Sequence, residues 1–273
     1  MDWISLYLDE DLGRDGDITS SSLFRDASAT GEARLVARER CYVVGANHAA
    51  DVFERCGASA SVQADDAWVD AGEVILSISG PTTAILKGER LALNLLARMS
   101  GIGTQTRVLV EALAEACSTC LVAGTRKTTP GFRLFEKEAI ARAGGDPHRF
   151  GLFDEGMIKD NHREAAGDLA AAIHAFQTAW PDRKLTVEVE SLEDAVLAAT
   201  AGATWVMIDN QSPETGQEWA KAIWDANPAT KVEASGGIGP ENLLDYAWAD
   251  RVSMGALTHQ AQSVDLALDW GAK

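Results

Sequence analysis

The chain is short of basic residues. It has 24 Lys and Arg against 41 Asp and Glu, a formal net charge of −17. That balance excludes a general nucleic-acid-binding surface, because a phosphate backbone needs a basic face. No apolar run reaches the length of a bilayer-spanning helix. The opening Met1-Asp2-Trp3-Ile4 lacks the basic and apolar regions of a signal peptide. A cytoplasmic protein without a membrane partner is the expectation. Cysteine is scarce as well, with Cys41, Cys56, Cys117 and Cys120 the full set. Cys117 and Cys120 have the Cys-x-x-Cys spacing of zinc and redox sites, but no second pair of matching spacing completes a four-ligand site. Buried or incidental thiols are expected there.

What is present is an ordinary globular composition, 46% hydrophobic and 24% charged over 273 residues, enough for one large or two modest domains. Against the acidic background stands a basic island. From Gly124 to Arg163 eight Lys/Arg face six Asp/Glu, a local balance of +2. It includes Gly124-Thr125-Arg126-Lys127-Thr128-Thr129-Pro130-Gly131, then His148-Arg149, then Ile158-Lys159-Asp160-Asn161-His162. Arg forks bind carboxylate and phosphate bidentately and Lys adds a point charge, so this grouping suits a small polyanion. A solvated face of ion pairs is the bland alternative, but Pro130 and Gly131 make a shaped loop rather than a surface helix.

The first hundred residues read as strands followed by helices. A short amphipathic helix is expected over 2–12, a turn-rich stretch over 13–19, one strand over 32–44 and a helix over 46–56. Short strands follow at 59–63, 67–69 and 74–79, then helices at 82–99 and 105–117. This order predicts a small α+β sandwich. The second half changes rhythm. Strand-like runs recur at 121–125, 156–159, 185–190, 205–209, 231–235 and 251–254, with helical patterns at 191–201, 214–226 and 240–247. Repeated β-α units predict a parallel sheet closed, or nearly closed, into a barrel of six strands, short of the usual eight. The expected division is an N-terminal domain over 1–103, a barrel over 104–262, and a tail over 263–273 packing with the first.

Each barrel strand ends in polar chemistry: Arg126 and Lys127, Lys159 and Asp160, Glu188 and Glu190, Asp209 and Asn210, Ser235 and Gly236, Ser253 and Gly255. Active sites form at that end of such barrels. Glu188 and Glu190 are two apart in a strand and therefore share a face. Two inward carboxylates would bind a divalent metal, pair with a lysine, or raise each other's pKa. Ser235-Gly236-Gly237-Ile238-Gly239-Pro240 and Ser253-Met254-Gly255 are turns through which backbone N–H groups can approach an anion.

These residues resemble quinolinate phosphoribosyltransferase, also called nicotinate-nucleotide pyrophosphorylase (carboxylating). The similarity runs from Gly-Thr-Arg-Lys-Thr-Thr-Pro-Gly-Phe-Arg through Glu136-Lys137 and Gly144-Gly145-Asp146-Pro147-His148-Arg149 to Ile158-Lys159-Asp160-Asn161-His162. Upstream it takes in Gly16-Asp17-Ile18-Thr19, Glu89-Arg90-Leu91-Ala92-Leu93-Asn94 and Ser100-Gly101-Ile102. Downstream it takes in Val187-Glu188-Val189-Glu190, Asp209-Asn210, Glu233-Ala234-Ser235-Gly236-Gly237-Ile238 and Leu257-Thr258-His259. The resemblance implies transfer of phosphoribosyl from phosphoribosyl pyrophosphate to quinolinate with Mg²⁺, releasing CO₂ and pyrophosphate and forming nicotinate mononucleotide for NAD synthesis.

By motif match, Arg90, Arg126, His148, Arg149 and Lys159 would surround the quinolinate carboxylates, with Arg90 supplied by the partner subunit of a homodimer or a larger assembly. Thr125 belongs to the same substrate-binding set, and Lys127 would lie near the pyrophosphate. Glu188 and Asp209 would face the ribose hydroxyls and Mg²⁺. Ser235, Gly236 and Gly237, with Ser253, Met254 and Gly255, would hold the 5-phosphate. Lys127, Lys159, Glu188 and Asp209 are the implied catalytic set, and no Ser-His-Asp nucleophile is needed. Two departures from the family pattern occur: Ala143 replaces the first of three glycines, and Gln260 follows Leu257-Thr258-His259. His162 and His259 are expected in helix-capping or core hydrogen bonds. Two other readings are a relative of the same fold associated with molybdenum transport and a catalytically silent phosphosugar-binding protein. The first is disfavoured by Lys159, the second by the presence of all four catalytic positions.

Overall fold

In the computed structural model, residues 2–24, 29–116, 118–159, 161–162, 165 and 167–271 are described. Cys117 and Asp160 lie outside them. The chain divides into two compact units, Met1–Gln105 with Ala261–Lys273 and Thr106–Gln260.

The first unit opens with α1 (Trp3–Leu12) and α2 (Ile18–Leu23), whose first N–H groups are accepted by Asp2 and Asp17. The strands β1 (Thr30–Ala37), β3 (Ser59–Val62), β5 (Val74–Pro81) and β12 (Leu266–Trp270) form an antiparallel sheet in the order β12-β1-β5-β3. A smaller sheet pairs β2 (Cys41–Val43) with β4 (Ala67–Val69). The single strand expected over 32–44 is thus two strands in different sheets. The break falls at residues 38–40, where Arg38 and Arg40 turn outward to Asp269 and Asp70. Behind the sheets lie α3 (Ala46–Cys56) and the first part of α4 (Thr82–Glu115), burying Phe53, Leu35, Leu76, Ile85, Leu95 and Met99.

The two helices expected over 82–99 and 105–117 are one helix of 34 residues. Gly101 and Gly103, between the two expected spans, lie inside this helix and serve close packing. A Cβ on Gly101 would stand 1.9 Å from the carbonyl oxygen of Gln262.

The second unit is a parallel sheet of β6 (Leu121–Ala123), β7 (Gly156–Ile158), β8 (Leu185–Val189), β9 (Trp205–Asp209), β10 (Lys231–Ser235) and β11 (Arg251–Ser253). Its order is β6-β11-β10-β9-β8-β7. This is the incomplete six-stranded barrel expected from the sequence, with β6 and β7 as its edges. A parallel bridge from Ala123 to Asp146 adds a short segment beside β6, and Arg149 Nη2 reaches Met157 Sδ on β7 at 3.1 Å.

Alternation decides what each face carries. Ile158, Leu185, Val187, Val189, Val206, Ile208 and Val232 pack in one apolar cluster with the helices Leu169–Ala179, Leu192–Thr200 and Pro213–Ala226. The intervening residues Met157, Thr186, Glu188, Met207, Asp209, Glu233, Ser235, Arg251 and Ser253 take the opposite face by period two. The helices α5 (Arg133–Arg142) and Leu169–Ala179 carry weaker sequence patterns and were not expected. In place of the helix expected over 240–247 there is one 3₁₀ turn, Leu243–Tyr246. Among the described residues, no helix is long and apolar enough to cross a membrane.

Candidate active site

The polar strand ends of the second unit converge on a cavity of about 860 Å³. Thr125, Arg126 and Lys127 reach it from the end of β6, Lys159 from β7, Glu188 from β8, Asp209 from β9, Ser235, Gly236 and Gly237 from β10, and Ser253 and Gly255 from β11. His148 and Arg149 enter from the segment beside β6. One expected phosphate residue does not line it. Met254 is buried, and its N–H donates to Ala123 O at 2.9 Å, closing the sheet. Arg90 is exposed on α4, in the first unit.

One wall is cationic. Arg126 Nε is buried and, among the described residues, has no hydrogen-bond partner. Burial, and after it the neighbouring charge of Arg126, lowers the pKa of Arg149. Two guanidiniums held this close call for an anion between them. The loop carrying Arg126 is built by α5. Glu136, fully buried, accepts the Thr129 N–H at 3.2 Å and the Thr129 hydroxyl at 2.9 Å. Arg133 Nε donates to Thr128 Oγ1 at 2.8 Å. Beside Glu136, buried Lys137 donates to the carbonyls of Pro147 and His148, and burial pushes its pKa down to about 8.

The opposite wall is acidic. Lys159 pairs with Glu188. The carboxyl of Asp209 is raised by burial and by Glu188, against the lowering charges of Lys159 and Lys127. The expected inward pair of Glu188 and Glu190 is not formed. Glu190 lies one residue past β8, where the strand has ended, and is exposed. The carboxylate facing Glu188 comes from the next strand, as Asp209.

The end of the cavity over β10 is backbone. Gly236 and Gly237 both have positive φ, +87° and +63°. A Cβ on Gly236 would stand 2.2 Å from Asn210 Oδ1, so only glycine fits. Consecutive residues of this kind turn their N–H groups into an anion-binding concavity.

Beneath the cavity lies an ionic floor whose pairing no spacing in the sequence discloses. Arg251 donates to Glu233 at 2.8 Å through Nε and to Asp146 at 3.1 Å through Nη1, and its guanidinium stacks 3.8 Å over Trp205. His148 Nε2 lies 3.2 Å from Glu233 Oε1, and His148 Nδ1 accepts the Arg149 N–H at 2.7 Å. Burial pulls the Glu233 carboxyl up, but His148, Arg251 and Ser253 outweigh it and hold the pKa at about 2. The only trace in the sequence is a charged residue within each of the short runs 231–235 and 251–254.

The remaining groups behave simply. His162 Nδ1 accepts the Lys159 N–H at 3.1 Å, a capping bond. His259 and Gln260 line the cavity, as do Met157, Met207, Asn210 and Glu241. Cys41, Cys56 and Cys120 are buried free thiols, and burial pushes Cys120 up to about 12.

Comparison with known proteins gives matches over nearly the whole chain. The family described as quinolinate phosphoribosyl transferase, C-terminal domain, matches residues 102–269, and the corresponding N-terminal domain matches residues 17–100. A protein of Bacillus subtilis called probable nicotinate-nucleotide pyrophosphorylase (carboxylating) is 40% identical over 266 residues, 95% of this chain and 89% of that protein. One of the same name from Methanothermobacter thermautotrophicus is 39% identical over 275 residues, 98% of each chain. Among solved structures, NadC from Streptococcus pyogenes superposes with a TM-score of 0.88 at 34% identity, covering 98% of this chain and 96% of that one.

Proposed function

The chain belongs to the quinolinate phosphoribosyl transferase family, and on that premise we propose that its barrel cavity joins quinolinate to phosphoribosyl pyrophosphate, forming nicotinate mononucleotide, CO₂ and pyrophosphate. The reaction is a step of NAD synthesis. The observation that carries the assignment to this cavity is Arg126, whose buried Nε lacks a partner among the described residues beside the like-charged Arg149. A planar dicarboxylate supplies the acceptor that Arg126 lacks and the negative charge that suits both guanidiniums.

Displacement at the anomeric carbon builds positive charge on the ribose while pyrophosphate departs. Glu188 and Asp209 stabilise the ribose side, and Lys127 takes up charge on the leaving group. The positive nitrogen of the N-ribosylated pyridinium then stabilises the electron pair left on the adjacent carbon as CO₂ departs, and a proton taken up by that carbon completes the product. Lys159, paired with Glu188, sits between the acidic and basic walls and orients both substrates. Gly236, Gly237 and the Ser253–Gly255 turn receive the 5-phosphate. His148 lines the cavity with both ring nitrogens already engaged, so its part is to hold the turn before Arg149.

Glu188 and Asp209 suit Mg²⁺. They are hard oxygen donors, and the raised carboxyl of Asp209 is relieved by a nearby cation. Among the described residues no group of three or more His, Cys, Asp or Glu converges on one point. Substrate oxygens and water would supply the remaining ligands. When bound, the ion neutralises charge developing on pyrophosphate.

A homodimer, alone or within a larger assembly, fits the exposed Leu152 and Phe153 in the loop after Arg149, 77% and 74% accessible, which a second subunit would cover. Arg90 would then serve the partner's cavity. The cytoplasm is the proposed location. The silent-binder reading is disfavoured because Lys127, Lys159, Glu188 and Asp209 all line one cavity.

The test supplies quinolinate, phosphoribosyl pyrophosphate and Mg²⁺ and follows nicotinate mononucleotide and CO₂, with nicotinate replacing quinolinate in parallel. Product from quinolinate alone is expected. No product from either, in folded protein, overturns the assignment. Lys159→Ala is expected to lose most turnover while staying folded, and near-normal turnover would remove Lys159 from the site.

A further inference from the structure

The interior of a β/α barrel is ordinarily filled by layers of branched aliphatic side chains. Here the layer below the cavity is ionic, and its members are almost wholly withdrawn from water. Side-chain exposure is 0% for Glu233, 3% for Arg251 and 5% for His148. Burying charges this way is expensive unless each is paired, and replacement by apolar residues is often neutral or stabilising. A floor of this kind therefore invites a reason beyond stability.

The geometry supplies one. The two oxygens of Glu233 divide their work: Oε2 takes Arg251 and Oε1 takes His148. His148 Nδ1 accepts the N–H of Arg149, which in a neutral ring places the proton on Nε2, 3.2 Å from Glu233 Oε1, with Arg251 Nη2 3.3 Å from the same nitrogen. His148 itself has φ +59°, a left-handed conformation that a non-glycine residue holds only under constraint. Asp146 closes the circuit, accepting the His148 N–H at 2.7 Å on one oxygen and Arg251 on the other. The residue that leaves this constrained turn is Arg149, which lines the cavity.

We propose that Glu233 is a positioning residue for substrate: by accepting the Nε2 proton of His148 it fixes the strained turn that presents Arg149 to the quinolinate carboxylates. The inference rests on the reaction assigned above. Glu233 touches neither substrate, so its effect falls on one of them selectively.

The test pairs kinetics with a spectroscopic readout. Glu233→Gln keeps the shape, but the amide cannot accept from His148 and Arg251 together. It is expected to raise the KM for quinolinate roughly 30-fold, in line with the loss of one charge-assisted contact, and to leave the KM for phosphoribosyl pyrophosphate within about twofold. Parallel increases in both, or no change in either, would overturn the proposal.

The second readout needs no turnover. The ¹⁵N spectrum of His148 in the unmodified protein, assigned by difference against His148→Asn, is expected to show the Nε2–H tautomer at neutral pH. In Glu233→Gln it becomes a tautomer mixture. An Nδ1–H ring in the unmodified protein overturns the proposal even if the variant fails to fold. An unmodified protein inert toward quinolinate would remove the reaction assignment, and the tautomer would still decide the His148–Glu233 contact.

Discussion

Arg126 and Arg251 belong to the same barrel unit and differ in what surrounds them. Arg126, on the loop after β6, keeps a buried Nε without a partner among the described residues. Arg251, inside β11, is saturated by Glu233, Asp146 and the face of Trp205. The guanidinium is the same and the use is opposite. An unmet buried donor is a standing demand that a ligand can satisfy, whereas a saturated one has nothing left to offer a substrate and can only hold other groups in place. Side-chain identity therefore says little about function until the partners are counted.

The comparison can be broken by removing each arginine. Arg126→Ala should leave the melting temperature nearly unchanged and reduce kcat/KM for quinolinate by three to four orders of magnitude, on the order of 5 kcal/mol, as for truncation of one side of a buried charge pair. A variant retaining a tenth of its activity would show that Arg126 is not a substrate contact. Arg251→Leu should do the reverse of a pure activity loss. It leaves Glu233 buried and uncompensated, a destabilisation of about 4 kcal/mol that lowers the melting temperature by roughly 10 °C, measured by calorimetry. An unchanged melting temperature would mean that the floor contributes no stability.

Acid sharpens the same contrast. The folded pKa of Glu233, about 2, lies below its ordinary value of 4.5, so the ionised form stabilises the fold. That contribution is complete above about pH 4.5 and is lost as pH falls toward 2, amounting to roughly 3 kcal/mol. Urea unfolding at pH 6 and pH 3 should therefore show a smaller acid loss in Glu233→Gln than in the unmodified chain. Equal losses would place the acid sensitivity in other carboxylates.

Much of the architecture was legible because its signals are local. Six strand-like runs carry their own periodicity, and alternation places Glu188 on the face opposite Val187 and Val189. The loops around Arg126, His148 and Lys159 advertise themselves through charge and glycine. Errors arose where a local signal had two meanings. Gly101 and Gly103 fall between two expected helices, yet they are small because neighbouring chain passes close, and α4 continues through them. The period-two pairing of Glu188 with Glu190 assumed that the strand runs on, but β8 ends at Val189.

By itself the sequence determined the parallel strands of the second unit and their order in the chain, the basic island and the family, because each depends on residues near one another in the chain or on a motif readable as a string. Only the tertiary structure decided which charges are spent and which remain available. Asp146, His148, Glu233 and Arg251 meet across as many as 105 positions of chain, and their pairing depends on strand register and barrel curvature. No pattern along the chain encodes those distances, so Arg126 and Arg251 look alike in sequence and become opposites once folded.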